Sequence, residues 1–397
     1  MQELVAAGDA GVRPRFGVRS TVRIGRQLGI VVALDHGNDA LKLAVLMSDG
    51  SLMTLRIPTA YKEAELIRGG DNEISYSVDS GPAFWMGETA LSHDGEDLPI
   101  GPTSQRIIDG RLRSMVAAAL VEILHTAGYK PGAHNVILGF AIPNTEIVPI
   151  RGAGEGEPER LGVEPSTREA LEAHLKGARW NVERTNTDGV VDTWQINVLT
   201  VVPQAQTTGT LVAVTKAANG STVTDLDALD IIDVGGGDLQ VTTVRVRPSY
   251  QMTTNRVGDG TIRVARALKS KFPKFDLNNV AAQQALITRR LLVAGRQRDI
   301  SAEVDDVLNS QGQGLIGAVL PVLRQSRRYV VITGGGVILL HDLIVPRLDA
   351  ETKVRGEDYE LINHGLASVI NAIGILFATI LKAAQLAQAT AAAEKRG

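Results

Sequence analysis

The sequence predicts an α/β protein of two similar halves. Two observations carry this. Strand meanders followed by helices occur twice along the chain, and three apolar runs rich in β-branched residues end in glycine turns. The turns are Ala33-Leu34-Asp35-His36-Gly37, Ile232-Asp233-Val234-Gly235-Gly236-Gly237 and Ile332-Thr333-Gly334-Gly335-Gly336. The first two place an aspartate at the strand end. All three expose backbone N–H groups, and glycine lets the main chain approach closely, so such turns can wrap phosphate oxygens. Two aspartates on facing turns can hold a hydrated Mg²⁺ between them. Three such turns in this order suggest a nucleotide clamped between two lobes.

The bulk properties narrow the choice. A chain of 397 residues can form two or more domains with proper cores. Its 44% hydrophobic and 21% charged content is that of a globular protein. A net charge of −3 gives no support to a broad nucleic-acid surface, so any such contact is local or made through an adaptor. The absence of cysteine excludes disulfides, thiolate zinc sites and thiol catalysis, and fits a cytoplasmic setting.

Residues 1–28 hold Arg13, Arg15, Arg19, Arg23 and Arg26 without a continuous apolar segment, so they are not read as a signal peptide. They read as a flexible leader or as an arm that contacts a partner. Gly29 to Leu46 is strand, turn, strand, and Ser51 to Pro58 adds a third strand. Gly69 to Glu73 and His93 to Ser104 are loops. Short strands lie between them, ending in Phe84-Trp85-Met86-Gly87-Glu88. Arg111 to Ala127 is a helix, with Leu112, Met115, Val116, Ala119, Leu120, Ile123 and Leu124 on one face and Gly128 as C-cap. Asn135 to Ile142 is a buried strand. Arg151 to Thr167 is a loop, Arg168 to Lys176 a short helix, and Gln195 to Val202 a strand stopped by Pro203.

The second half opens with a hairpin from Ile231 to Val246. Helices follow at Thr261–Lys271, Val280–Leu292 and Ala302–Leu308, and Leu315 to Arg324 leads into the strand Tyr329 to Ile332. A further helix starts near Val337. Leu361 to Ala393 is mostly helical, and its end, Ala383 to Gly397, is either a fraying surface helix or a partner-binding one. Gly365 to Leu381 is short for a membrane span and contains Ser368, Asn371, Gly374 and Thr379, so it reads as a buried helix and not as a direct span.

Each motif has a functional and a plain reading. In the first turn, Gly37 and Asn38 would contact phosphate, Lys42 would neutralise its charge and Asp35 would orient metal-bound water. The plain reading is a hairpin turn with a solvated lysine. A charge pair near 4 Å is worth roughly 4 kcal/mol at an effective dielectric of 20, which favours a lysine wherever phosphate is present. Gly235, Gly236 and Gly237 weaken the local structure by roughly 0.5–1 kcal/mol each, a cost that close approach to a ligand explains. Gly334, Gly335 and Gly336 lead from a strand into a helix and can present N–H groups to phosphate or ribose. Glu146, just past a strand end, could accept a hydrogen bond from an attacking water; otherwise it is an exposed surface glutamate. Gly312-x-Gly314-x-x-Gly317 follows a helical segment and is no dinucleotide fingerprint. The histidines show no metal-ligand spacing.

The order of the three turns resembles the actin / sugar kinase / DnaK-type chaperone superfamily, and within it the ParM/StbA-type actins. Asp-x-Gly-x-x-x-x-Lys is matched by Asp35, Gly37 and Lys42. Phe84 to Leu91 resembles the family's aromatic-x-x-Gly-Glu-x-Ala-Leu segment, Ile142 to Glu146 its Leu-Pro-x-x-Glu stretch, Val201 to Gln204 its Val-x-Pro-Glu/Gln, and Asn371 to Gly374 its Asn-Ala-x-Gly. The chain departs from the pattern at His36, and at Asp238 and Gln240, where the family usually has threonine and aspartate.

The resemblance implies a two-lobed actin-like fold of duplicated ribonuclease-H-like domains, each with a five-stranded sheet. Residues 29–215 plus 360–397 would form domain I and 216–359 domain II, with 1–28 as an extension. ATP, or GTP, and Mg²⁺ would bind between the lobes. Gly37, Asn38, Lys42 and Gly235 to Gly237 would contact phosphates. Asp35 and Asp233 would hold the metal through water. Glu146 would position the attacking water, and Gly334 to Gly336 would lie under the nucleoside. It further implies an ATPase that polymerises head to tail for plasmid or DNA segregation, with a small DNA-binding adaptor as partner. The alternatives on the same fold are a small-molecule kinase, which would phosphorylate an acceptor, and a non-polymerising adaptor or chaperone-like ATPase.

Overall fold

The computed structural model describes residues 20–64, 73–150, 160–216, 226–247, 250–275, 277–293, 296–326, 328–355, 359–362 and 366–394. The chain divides into two compact units. The first takes Met1–His36, Ala40–Thr224 and Asn371–Gly397; the second takes Gly37–Asp39 and Asp225–Ile370.

The first unit begins with β1 (Thr21–Ile24), β2 (Gln27–His36), β3 (Ala40–Leu46) and β4 (Leu52–Pro58). β5 (Ala60–Glu63), β6 (Ser75–Val78), β7 (Phe84–Met86), α1 (Gly87–Ser92) and β8 (Glu96–Asp97) follow. Then come α2 (Thr103–Arg106), α3 (Gly110–Thr126), β9 (Gly132–Ile142), a 3₁₀ turn (Asn144–Glu146), β10 (Ile147–Ile150), β11 (Arg160–Val163) and α4 (Pro165–His174). The run closes with β12 (Arg179–Thr185), β13 (Val191–Ala205) and α5 (Gln206–Thr215). The second unit holds β14 (Ala228–Val234), β15 (Asp238–Arg245), β16 (Gln251–Asp259), α6 (Ile262–Lys271), α7 (Asn279–Thr288), β17 (Arg290–Val293) and β18 (Arg296–Asp299). It continues through α8 (Ser301–Val307), a π-helical turn (Leu308–Gly312), α9 (Gln313–Gln325), β19 (Tyr329–Thr333), α10 (Gly335–Arg355) and β20 (Tyr359–Leu361). The long α11 (Ile370–Glu394) returns to the first unit.

The two units repeat one sheet plan. In the second, the order is β16-β15-β14-β19-β20, with the first two pairings antiparallel and the last two parallel. In the first, the run β4-β3-β2-β9-β13 has the same order and the same signs. A meander whose first strand then pairs in parallel needs a crossover helix, and α3 supplies it in the first unit. Its N-cap Asp109 accepts from Arg111 N at 2.8 Å, and Gly128, one residue past the C-cap Ala127, turns the chain at φ 86°. Leu112, Met115, Leu120 and Ile123 are fully buried in the core beneath the sheet.

Five strands per lobe hold for the second unit. In the first, β12-β6-β7-β5-β8 extend the sheet beyond β13, and β1 pairs with β2, so its sheet has eleven strands. β1 falls inside residues 1–28; the earlier part of that leader, and Gly69 to Asn72 of the first loop, lie outside the described residues.

Pro203 does not stop β13, because β12 pairs only as far as Asn197; beyond it β9 is the paired neighbour, and a missing N–H is tolerated on the open side. Ser104 is helical within α2. Arg160 to Val163 is not loop but pairs with β10, placing Ile147 opposite Val163. The helix through Leu292 ends at Thr288, where Arg289 turns left-handed at φ 56° and Leu291 enters β17. A short apolar run does not by itself separate strand from helix.

α11 is long and apolar enough to cross a membrane over Ile370–Ala389, with mean hydropathy 1.6, yet 61% of it is buried inside the fold. A Cβ on Gly374 would strike the Gly209 carbonyl of α5, and one on Gly139 would strike the Thr379 hydroxyl. Thr210 Oγ1 donates to Asn371 Oδ1 at 2.7 Å, and Gln204 Nε2 to Thr379 Oγ1 at 3.1 Å. This is the packing of a core helix.

Candidate functional site

The middle glycine turn lies in the second unit, and its amides and carbonyls point to different ends. The Gly235, Gly236 and Gly237 carbonyls accept from Thr261, Ile262 and Gly260 N–H at 3.0, 2.7 and 3.2 Å, which satisfies orphan donors at the start of α6. Gly235 N–H donates back to Asp238 O at 2.9 Å. Among the described residues, no main-chain carbonyl accepts from Gly236 or Gly237 N–H. Two adjacent amides left over in a turn form an anion-binding concavity.

Three further features surround them. Gln283 of α7 donates to Gly236 O at 3.1 Å. Asn38 Nδ2 lies 3.0 Å from where a Cβ on Gly237 would sit, and the Asp39 side chain 3.0 Å from the Cβ position of Gly236. Gly334 has φ 100°, and a Cβ there would strike Asp233 Oδ1 and the Val234 carbonyl. Glycine is therefore required where β14 and β19 run parallel, and Asp233 rests on that turn. Gly335 and Gly336 open α10, so their N–H groups are helix-start donors. Asp238 and Gln240, the two departures from the family's pattern, bond to one another at 2.6 Å.

Beside these turns the second unit has a cavity of about 450 Å³. Leu286, Ile287, Leu308, Ile338 and Leu339 give it apolar walls, and Arg289 and Asp342 a polar edge. It starts one helical turn beyond Gln283 on α7 and one beyond Gly335 on α10. Its walls come from α7, the π turn and α10, far apart in the chain, so no local sequence pattern marks it.

The first unit holds the other group. Asp35 is 2% exposed; its Oδ1 accepts from Gln206 Nε2 at 2.9 Å, and its Oδ2 lies 3.9 Å from Lys42 Nζ. Lys42 stands opposite Asp35 in the β2–β3 register, so the ion pair follows from the hairpin. Glu146 is 5% exposed, not a surface residue. Its Oε1 accepts from Thr103 N–H at 2.8 Å and from Thr103 Oγ1 at 3.1 Å, and its Oε2 accepts from Thr167 Oγ1 at 2.6 Å. Asn144, two residues earlier, accepts from Thr207 Oγ1 at 2.9 Å. Thr103 and Thr167 gave no signal in the sequence, since both fell in segments read as loop.

His36 completes this group. Its Nε2 is 3.1 Å from Thr103 Oγ1, its ring lies 4.6 Å from that of Phe140, and its carbonyl accepts from Arg106 at 2.7 Å. Burial first, and then the Arg106 charge, hold the imidazole well below its usual 6.5, while the Ala141 main chain works the other way. At pH values between the depressed folded value and 6.5 the unfolded chain takes up a proton that the folded site excludes. Stability is therefore full above pH 6.5 and falls as pH is lowered through it, by up to about 1.4 kcal/mol per pH unit. Urea unfolding midpoints measured across that range should show a flatter acid limb for His36→Gln. Parallel curves for the two proteins would remove His36 as the cause.

No protein-family model matches the chain, and no curated protein matches its sequence. Solved structures do match its fold. An archaeal actin homolog, Ta0583, aligns at TM-score 0.59 with 20% identity, covering 88% of this chain and 98% of its own. The pSK41 ParM protein aligns at 0.57 with 16% identity, over 90% and 98%. A Bacillus thuringiensis ParM solved with ATP aligns at 0.58 with 16% identity, over 89% and 99%. The chain has an actin-like fold of the ParM type.

Proposed function

We propose that this protein binds a nucleoside triphosphate with Mg²⁺, hydrolyses it, and couples the cycle to head-to-tail self-assembly. The observation that carries the reading is the pair of amides at Gly236 and Gly237, turned away from a main chain that uses every carbonyl of the same turn. Gly37, Asn38 and the helix-start amides of Gly335 and Gly336 would add phosphate contacts, with Lys42 as counter-charge. The cavity beside Ile338 and Leu339 suits a flat base between aliphatic walls.

A divalent cation would be held through water, since among the described residues no three His, Asp or Glu side chains cluster as direct ligands. Carboxylates at Asp39 and Asp233 lie close to the glycine turns, and phosphate oxygens there would be repelled unless a cation screened them. Asp35 and Asp233 would hold Mg²⁺ through water, and the bound ion would supply neutralisation of phosphate charge. Glu146 would hold the attacking water by its remaining lone pair, so catalysis is chiefly positioning. Residues 29–215 plus 360–397 and residues 216–359 would act as the two lobes. Assembly would serve plasmid or other DNA segregation in the cytoplasm, with a small DNA-binding adaptor.

Titration with ribose-labelled fluorescent ATP and GTP, followed by light scattering on adding each nucleotide with Mg²⁺, tests this. Saturable binding and nucleotide-dependent scattering are expected. Binding without scattering over a wide protein and salt range would reject assembly, and no binding would reject the whole reading.

A further inference from the structure

We propose that His36 is a positioning residue for Glu146, acting through the Thr103 hydroxyl. This rests on the reading of Glu146 as the residue that holds the attacking water. β2 ends at His36, and alternation along a strand sends Asp35 and His36 to opposite faces. Asp35 meets Gln206 and Lys42; His36 turns to Thr103 and Phe140.

The Thr103 hydroxyl has one proton and two candidate acceptors, each 3.1 Å away: Glu146 Oε1 and His36 Nε2. A hydrogen bond to a charged group is roughly twice as strong as one to a neutral group. The carboxylate therefore takes the proton. His36 Nε2 must then carry its own proton and donate to Thr103 Oγ1, which fixes the tautomer of the neutral ring. The charged group that acts on the ring agrees with a neutral imidazole: Arg106 on α2 holds the His36 carbonyl. Glu146 itself is reached only through Thr103.

The consequence lies at the carboxylate. With Thr103 N–H and Oγ1 on Oε1 and Thr167 Oγ1 on Oε2, three of roughly four lone-pair sites are filled, and the one left has a fixed direction. Without the His36 donor, the Thr103 hydroxyl keeps its bond to Glu146 Oε1 but loses the second contact that fixes its rotamer. Glu146 then keeps its charge and its donors, with the Thr103 hydroxyl less firmly oriented.

The test is steady-state phosphate release by the full chain with ATP or GTP and Mg²⁺. His36→Phe keeps an aromatic ring against Phe140 and removes the donor. It should lower kcat about tenfold with KM unchanged. His36→Gln places an amide N–H near the position of Nε2 and should recover kcat to within about twofold of the parent. Thr103→Val should match His36→Phe and serves if that variant does not fold. In a Glu146→Gln background, His36→Phe should cost nothing further.

Full kcat in both His36→Phe and Thr103→Val, or an equal loss with and without Glu146, would overturn the positioning role alone. Full kcat in Glu146→Gln by itself, or no hydrolysis of either nucleotide by the parent chain, would overturn the Glu146 reading and this proposal with it.

Discussion

Gly374→Ala is expected to lower the stability of the first unit by about 3 kcal/mol or more. A Cβ at this position would run into the carbonyl and Cα of Gly209, and one on Gly209 would meet the Asn371 carbonyl and Cα. Every obstacle is backbone, so no rotamer change relieves it, and α5 and α11 must separate. Separation also stretches the Thr210–Asn371 and Gln204–Thr379 hydrogen bonds, each worth about 0.5–1.5 kcal/mol. Urea unfolding followed by circular dichroism measures the change. A loss below about 0.5 kcal/mol would show slack between the helices and remove the glycine pair as their spacer.

On the proposed function, Gly334→Ala should weaken nucleotide binding about a hundredfold or more, equivalent to about 2.7 kcal/mol. The residue sits at φ 100°, where an L side chain is strained, and its Cβ would collide with Asp233 Oδ1 and the Val234 carbonyl. Both β14 and the start of α10 would have to shift, and with them the Asp233 carboxylate and the helix-start amides. Gly317→Ala is the control. It lies in α9 with nothing within 4 Å of its Cβ position, so alanine should leave binding unchanged and raise stability by up to about 1 kcal/mol. Labelled-nucleotide titration of both variants checks this, and unchanged affinity in Gly334→Ala would exclude the third turn from the site.

Much of the fold was legible because its signals are local. The three glycine turns follow strands β2, β14 and β19, as their β-branched runs require. The α3 periodicity with Gly128 behind it marks one helix to within a residue or two. Gly312-x-Gly314-x-x-Gly317 lies in helix, as its flanks implied. The misreadings were also local in origin. Pro203 reads as a strand stop only if both edges of β13 are paired, and Leu291 reads as helix only if Arg289 stays right-handed.

The order of residues along the chain determined the α/β class, the duplication, the three turns and the apolar character of α11, since periodicity and turn chemistry act over a few neighbours. It could not determine which partners a side chain finds across the fold. Burial of Glu146 between Thr103 and Thr167, the His36 contact to Thr103, the Gly209–Gly374 crossing and the cavity between α7 and α10 were decided only by tertiary packing. Each joins groups from distant stretches of chain, and hydrogen bonds and steric contact act across space, where sequence separation carries no information.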